Sequence, residues 1–206
     1  MIKNNLYEYE NKCIQEGYKL IAGTDEVGRG CLAGPLVTAC CILPINYVND
    51  KINDSKKLSS KQREELFDII IKDAIAYEIF FVDSNEVDKL NPKKASVYGM
   101  EQCIKKIKIK PDIILIDAEK INTDIPTISI IKGDAKSITI AAASILAKVA
   151  RDRYMVDTID IKYPMYHFKK HKGYGTKLHM NALMKFGPIK NLHRFSYKPV
   201  KELVIE

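Results

Sequence analysis

The feature that most constrains this chain is a pair of adjacent carboxylates, Asp25-Glu26, in the glycine-flanked run Gly23-Thr24-Asp25-Glu26-Val27-Gly28-Arg29-Gly30. The apolar stretch Leu20-Ile21-Ala22 leads into it, and a second extended run, residues 36–43, follows. Two acids at the end of an apolar strand are costly to bury unpaired. A divalent cation is the most economical compensation, and Arg29 beside them suits an anion, such as a phosphate, brought close to that cation. Most Asp-Glu pairs are solvated turn residues. Here Gly23, Gly28 and Gly30 favour a built site, because glycine permits positive φ and close backbone approach. Gly23 and Gly28 also have the spacing of a phosphate-binding G-x-x-x-x-G loop. That loop needs Lys where Arg29 stands, a hydroxyl where Gly30 stands, and a helix where residues 36–43 read as strand.

The remaining pattern is α/β. Residues 5–16 suit a leading helix, 18–24 a first strand, and 36–43 a second strand stopped by Pro44. Ser59-x-x-Gln62 has the form of a capping box, with Leu66, Phe67, Ile70 and Ala74 on one helical face. Residues 76–82 read as a third strand, and Asn91-Pro92 as an N-cap with proline at the first helical position. The continuous apolar run Ile113-Ile114-Leu115-Ile116 suits a buried parallel strand ending at Asp117. A fifth strand, 127–131, precedes Lys132-Gly133-Asp134, and Ser137 can cap a long helix with Ile138, Ala141, Ala142, Ile145, Leu146 and Val149 on one side. The expected sheet has an antiparallel meander for its first three strands and parallel additions after them.

Asp25-Glu26, Asp117 and Asp134 thus all fall at strand ends, where sites gather in α/β sheets. Converging carboxylates repel one another unless a cation intervenes. Hard divalent ions prefer such oxygen ligands, and two of them suit an in-line displacement at phosphorus. Taken alone, Asp117 and Asp134 read equally well as turn residues. In a regular strand Asp25 and Glu26 would point to opposite faces. The chain is therefore expected to leave the strand near Glu26, or Glu26 to contribute its backbone carbonyl.

The length, 206 residues, suits one substantial core, and a 46% hydrophobic share excludes bulk disorder. No stretch is long enough to span a membrane and none resembles an apolar leader, so a cytoplasmic protein is expected. Cys13, Cys31, Cys40, Cys41 and Cys103 are odd in number and lack Cys-x-x-Cys spacing, which suits reduced core thiols. The net charge of +7 is uneven. Residues 161–201 contain ten Lys or Arg, all four histidines and no acid, while the rest of the chain is mildly acidic. A basic end of this kind points to a polyanion. Lys169, Lys170 and Lys172, interleaved with Tyr166 and Phe168, suit phosphate contact. His167, His171, His179 and His193 are too irregularly spaced for zinc.

Read together, several segments resemble bacterial ribonuclease HII. They are residues 23–30 with Leu32-Ala33-Gly34-Pro35, Asp54-Ser55-Lys56-Lys57-Leu58-Ser59, Leu115-Ile116-Asp117-Ala118 and Gly133-Asp134-Ala135-Lys136-Ser137. The helix of residues 140–152, His171-Lys172-Gly173-Tyr174-Gly175-Thr176, and Gly187-Pro188 with His193-Arg194 complete the set, in order. Cys31 departs from a frequent proline of the family and Asn91-Pro92 from a common Asn-Ile. Ribonuclease HIII shares the Asp-Glu pair but typically lacks Gly-Arg-Gly, so Arg29 favours HII.

The resemblance implies a ribonuclease-H-like fold: a five-stranded mixed sheet flanked by helices, with a C-terminal helical extension. It implies one domain, with a catalytic core near residues 17–160 and a basic extension near 161–206. The implied activity is endonucleolytic cleavage of RNA in RNA–DNA hybrids and at single ribonucleotides in duplex DNA, leaving 5′-phosphate and 3′-hydroxyl ends. Mg2+ or Mn2+ is the implied cofactor, held by Asp25, Glu26, Asp117 and Asp134. Gly28, Arg29, Gly30 and Tyr174 are the implied readers of the RNA-to-DNA junction. Ser55, Lys56, Lys57, Lys148, Lys169 and Lys172 are candidate substrate contacts, and a monomer is the default expectation. Two other functions are compatible with parts of the pattern: a different ribonuclease-H-like nuclease or strand transferase, and a nucleic-acid-binding module with structural acids.

Overall fold

In the computed structural model, which describes residues 6–204, helix α1 (Glu8–Gln15) leads into β1 (Ile21–Val27) and β2 (Leu36–Ile42). Next come α2 (Ser60–Asp73), β3 (Ala76–Val82), α3 (Ser84–Leu90) and α4 (Pro92–Lys106). Strands β4 (Ile113–Asp117) and β5 (Thr127–Ile130) then precede a 3-10 turn (Gly133–Ala135) and the long α5 (Ile138–Arg153). A π-helical segment (Tyr154–Asp160) passes into the C-terminal extension, with α6 (Phe168–His171), α7 (Lys177–Phe186) and α8 (Lys198–Lys201). The first expected helical residue, 5, and the tail residues Ile205 and Glu206 lie outside the described residues.

The sheet order is β3-β2-β1-β4-β5. β1 pairs antiparallel with β2 and β2 with β3, while β4 lies parallel to β1 and β5 parallel to β4. This is the meander with parallel additions that the apolar patterning demands. Helix α5 lies across β1 and β2 on one face, with α2 beside it. Helix α4 covers the other face, where Met100 and Cys103 pack on Cys40 and Ile42. Cys40 and Cys41 serve opposite faces, and all five cysteines are buried and free.

Local chemistry sets the helix boundaries. Ser59 accepts from the Gln62 N–H at 3.3 Å and its own N–H donates to the Gln62 side chain at 2.9 Å, closing the capping box of α2. Leu66, Phe67 and Ile70 of α2 are then buried, each stabilising the fold by roughly 1.5–3 kcal/mol relative to exposure. Asn91 caps α4 ahead of Pro92, and Ser137 caps α5. Helix α3, capped by Asp83, is an addition to the elements expected from sequence.

Three strands differ from expectation at their limits, and β2 stops at Ile42, one residue short of the expected Leu43. β5 stops at Ile130, because Ile131 is exposed and Lys132 takes a left-handed conformation. β1 begins later and ends later than residues 18–24. The Lys19 and Leu20 amides donate to the Asp112 carboxylate, outside any ladder. Pairing with β2 continues through Asp25↔Ala39, Glu26↔Thr38 and Val27↔Val37. The chain therefore does not leave the strand at Glu26, and both acids are strand residues.

Candidate active site

With Glu26 inside the ladder, strand alternation sends the two carboxylates to opposite faces. Asp25 turns toward α5, where it is hydrogen-bonded by Ser144. Glu26 turns toward α4, where its Oε1 meets Arg29 Nε at 2.9 Å. Arg29 Nε also donates to Ser96 of α4 at 2.7 Å, and its terminal nitrogen meets Glu119 at 3.0 Å. Both acids sit near the carboxyl end of β1, the central strand, and both still line one cleft. That cleft, about 280 Å³ and open to solvent, is lined among others by Asp25, Glu26, Asp117, Lys56, Lys148 and Tyr174.

Parallel pairing of Thr24 with Ile116 puts Asp117 at the end of β4, next to Asp25. Asp117 Oδ1 accepts the Gly133 N–H at 2.6 Å, which ties it to the turn carrying Asp134. Asp134 is buried and pairs with Lys56 Nζ at 3.1 Å. The four sequence-predicted acids are thus brought to one region, with Asp134 behind Lys56 rather than on the cleft wall.

Electrostatics record the crowding. Burial, with the Glu26 and Asp117 charges added, raises the Asp25 carboxyl well above the usual range. Burial pushes Glu26 up to about 7, Arg29 pulling down while Asp117 and Glu119 push up. Asp117 is raised by burial and by Asp134, with the Gly133 amide and Lys56 opposing. Lys56 is raised against its own burial by Asp134, Asp54 and Asp25. Glu26 Oε2 is buried and has no hydrogen-bond partner.

This donor set fits a hard divalent cation: oxygen only, excess negative charge, and one orphaned buried oxygen. Asp25, Glu26, Asp117 and Asp134 are the side chains that could hold it. Among the described residues no three acid, histidine or cysteine side chains already form a ligand shell. Lys56 and Arg29 neutralise the outer acids instead.

The glycines divide the work. A Cβ at Gly23 would lie 2.2 Å from the Thr139 carbonyl carbon, so Gly23 lets α5 lie directly on β1. Gly28 has φ +98°, and a Cβ there would meet Arg151 Nε at 2.6 Å. Gly30 shows neither constraint: it is exposed, lines the cleft, and a Cβ there would meet nothing. Of the three, Gly28 alone takes the positive φ expected of them, and Gly23 supplies the close approach.

The wall opposite the acids is built by the C-terminal extension. Leu32 N–H donates to the Gly173 carbonyl at 2.8 Å, and Cys31 bridges Tyr174. Tyr174 lies half-buried with Lys148 Nζ 5.3 Å and Arg151 Cζ 5.6 Å from its ring centre. Burial, reinforced by Cys31, pushes its hydroxyl up to about 12. Two fully buried arginines lock this wall to the Gly-Arg-Gly loop. Arg151 donates to the carbonyls of Pro35, Ala33 and Lys172 at 2.8–3.0 Å. Arg194 donates to those of Gly28, Arg29 and Gly34 at 2.6–3.2 Å. Tyr197 adds a hydroxyl bond to the Arg29 carbonyl.

Several sequence-predicted contacts lie elsewhere. Ser55 lines the cleft, but its hydroxyl pairs with Ser144 at 2.9 Å, so it supports the Asp25 partner. Lys148 lines the cleft and pairs with Asp152 at 2.8 Å. Lys57, Lys169 and Lys172 are not on the cleft wall. Lys172 turns its ammonium to the Lys169 carbonyl. Tyr166 and Phe168, expected among surface lysines, are buried and stacked at 5.5 Å, because the extension needs them as its own core. Sequence reasoning passed over Ser144, Glu119, Arg151 and Arg194 as site components. Ser144, Lys148 and Arg151 follow i, i+4, i+7 on α5, which is a legible signal for a polar stripe on an otherwise apolar helix.

Comparison with known proteins identifies the family. A family model described as Ribonuclease HII matches residues 22–200. A ribonuclease HII from Caldicellulosiruptor bescii is 50% identical over 194 residues, 94% of this chain and 93% of that protein. The crystal structure of ribonuclease H2 from Pyrococcus horikoshii OT3 superposes with a TM-score of 0.75 at 25% identity, covering 89% of this chain and 96% of that one. Bst-RNase HIII, solved in complex with Mn2+, shares the fold with a TM-score of 0.72 at 15% identity, covering 94% of this chain and 71% of that one. A family match across most of the residues that build the sheet, the acids and the Tyr174 wall leaves one conclusion: this chain belongs to the ribonuclease HII family, hydrolases of the ribonuclease H type.

Proposed function

We propose that the chain cleaves RNA in RNA–DNA hybrids, the family's substrate, and also cuts at single ribonucleotides embedded in duplex DNA, leaving 5′-phosphate and 3′-hydroxyl ends. The observation that carries this reading is the gathering of Asp25, Glu26 and Asp117, together with Arg29 and Tyr174, in the lining of one cleft. Asp25, Glu26, Asp117 and Asp134 would hold two divalent ions, Mg2+ or Mn2+, and the chemistry such ions would supply there is activation of a water and stabilisation of the leaving 3′-oxygen. Mn2+ is the ion found with Bst-RNase HIII.

The chain's own residues do the rest. Telling RNA from DNA requires sensing a 2′-hydroxyl, which both donates and accepts hydrogen bonds. The exposed backbone at Gly30 offers such groups without a side chain in the way. Tyr174 presents a ring for the adjoining deoxyribose. Lys56, already among the acids, is placed to meet a scissile-strand phosphate once the acids are otherwise neutralised. Core and extension act as one unit, and the enzyme works as a monomer.

Incubation with a duplex carrying one ribonucleotide, with and without Mg2+, tests this. Metal-dependent cutting on the 5′ side of that ribonucleotide is expected. Cutting of all-DNA duplex would support a different nuclease, and binding without cutting a mere binding module. Asp117→Asn should abolish nearly all turnover while the fold persists; wild-type turnover in that variant would dispose of the ligand assignment.

A further inference from the structure

His171, His179 and His193 are widely separated on the extension yet pack as one buried group. The His171 and His179 rings stack at 4.3 Å and 13°, and the His193 ring centre lies 5.2 Å from that of His179. Backbone partners dictate each tautomer. Ile189 N–H donates to His193 Nδ1 at 2.8 Å, so His193 carries its proton on Nε2. That proton is given to His179 Nε2 at 3.0 Å. His179 must then be protonated on Nδ1, which donates to the Tyr174 carbonyl at 3.0 Å. Separately, Gly173 N–H donates to His171 Nδ1 at 3.1 Å, and His171 Nε2 donates to the Tyr166 carbonyl at 2.8 Å.

The result is a one-directional relay, Ile189 to His193 to His179 to Tyr174, with His171 holding the Lys172–Gly173 peptide one residue before it. Hydrophobic side chains would fill the same space without fixing any backbone direction. Each ring nitrogen of the three histidines has a hydrogen-bond partner, and His179 also reaches the Gly173 backbone, an arrangement that specifies a single geometry. The two backbone groups gripped, the Gly173 N–H and the Tyr174 carbonyl, lie on either side of the Gly173–Tyr174 peptide.

We infer that His193 and His179, with His171, are positioning residues for Tyr174, aiming its ring into the cleft so that cleavage at an isolated ribonucleotide is favoured. This rests on the reading of Tyr174 as the junction-sensing residue.

Two substitutions separate the halves of the relay. His179→Asn keeps an amide donor near the position of Nδ1, facing Tyr174, and gives up the His193 bond. His179→Gln keeps a partner near Nε2, facing His193, and gives up the Tyr174 bond. Steady-state cleavage is measured on a duplex with one ribonucleotide and on a continuous hybrid, with thermal unfolding recorded for each variant. His179→Gln should lose roughly tenfold to a hundredfold in kcat on the single ribonucleotide, with KM and hybrid cleavage little changed. His179→Asn should stay within about threefold of wild type at comparable stability. In a Tyr174→Ala background, His179→Gln should cost nothing further.

The relay is overturned if the two His179 variants lose activity equally, if both substrates are affected alike, or if the His179→Gln loss persists undiminished beside Tyr174→Ala. Should Tyr174→Ala by itself leave single-ribonucleotide cleavage intact, the junction-sensing role falls first and takes the positioning role with it. That outcome is distinct from a failed relay beside an important tyrosine.

Discussion

Asp25 is the residue at which folding and chemistry pull hardest against each other. It is buried, raised well above the ordinary carboxylate range by burial and by two neighbouring acids, with Ser144, the Glu26 amide at 2.7 Å and the Lys56 charge opposing. Asp25→Asn removes the repelled charge and keeps the shape. In metal-free protein that change should stabilise the fold by about 1–3 kcal/mol. Each kcal/mol corresponds to roughly 2–4 °C in Tm for a chain of this size. Thermal unfolding in chelator checks the gain, and a hybrid-cleavage assay should show activity lost. Gly23 sets the opposite limit. Gly23→Ala would drive a methyl into the Thr139 backbone, which has no rotamer to yield, and should destabilise by roughly 3 kcal/mol or more; denaturant unfolding measures it.

At the scale of elements, much was legible in the sequence because short-range rules decide it. Ser59 and Gln62, Asn91 with Pro92, and Ser137 each mark a helix start through hydrogen bonds made within a few residues. The apolar run of β4 announced a strand buried between two others. The ends of β1 were not legible. Whether Glu26 stays in the ladder depends on pairing with Thr38, and whether Leu20 enters it depends on Asp112, a residue far along the chain. For the same reason the acids were recognisable as a set while their partners were not. Arg194 serves carbonyls of the loop after β1, an interaction no local pattern encodes.

The histidine group also belongs to this scale, and it makes the extension acid-sensitive. Burial, with neighbouring histidines added, lowers His179 to about 4 and His193 to about 3, from an ordinary value of 6.5. Because the folded values are depressed, the unfolded chain takes up protons first. Stability from these groups is therefore complete above an unfolded pKa of roughly 6.5 and is lost progressively as pH falls toward the folded values, with a slope approaching about one proton per histidine. The raised carboxyls of Asp25, Glu26 and Asp117 contribute the opposite slope, so the expected signature is a difference: as pH falls across that window the wild-type denaturant midpoint should drop relative to that of His179→Asn.

At the scale of the molecule, positive charge is concentrated in the extension rather than at the cleft. Residues 161–201 carry ten Lys or Arg and no acid, yet Lys169 and Lys172 lie off the cleft. The basic extension fits long-range capture of a polyanion, with selectivity left to the acids and the Tyr174 wall. Affinity for hybrid should fall steeply with salt. Replacing the exposed Lys169 and Lys170 by alanine should shallow the log–log slope by roughly one unit for each phosphate no longer neutralised, alike for every duplex sequence. A slope unchanged in the double variant would remove these lysines from the binding face.

The two buried arginines carry one last implication. Among the described residues Arg151 and Arg194 pair with no carboxylate. Arg151, from α5, spreads its charge over carbonyls of both the loop after β1 and the extension, and Arg194, from the extension, over carbonyls of that loop. Each thus ties the loop to the extension. A molecule clipped within the extension would keep its acids and its sheet but lose the frame around them, becoming a hydrolase with an engine and no steering.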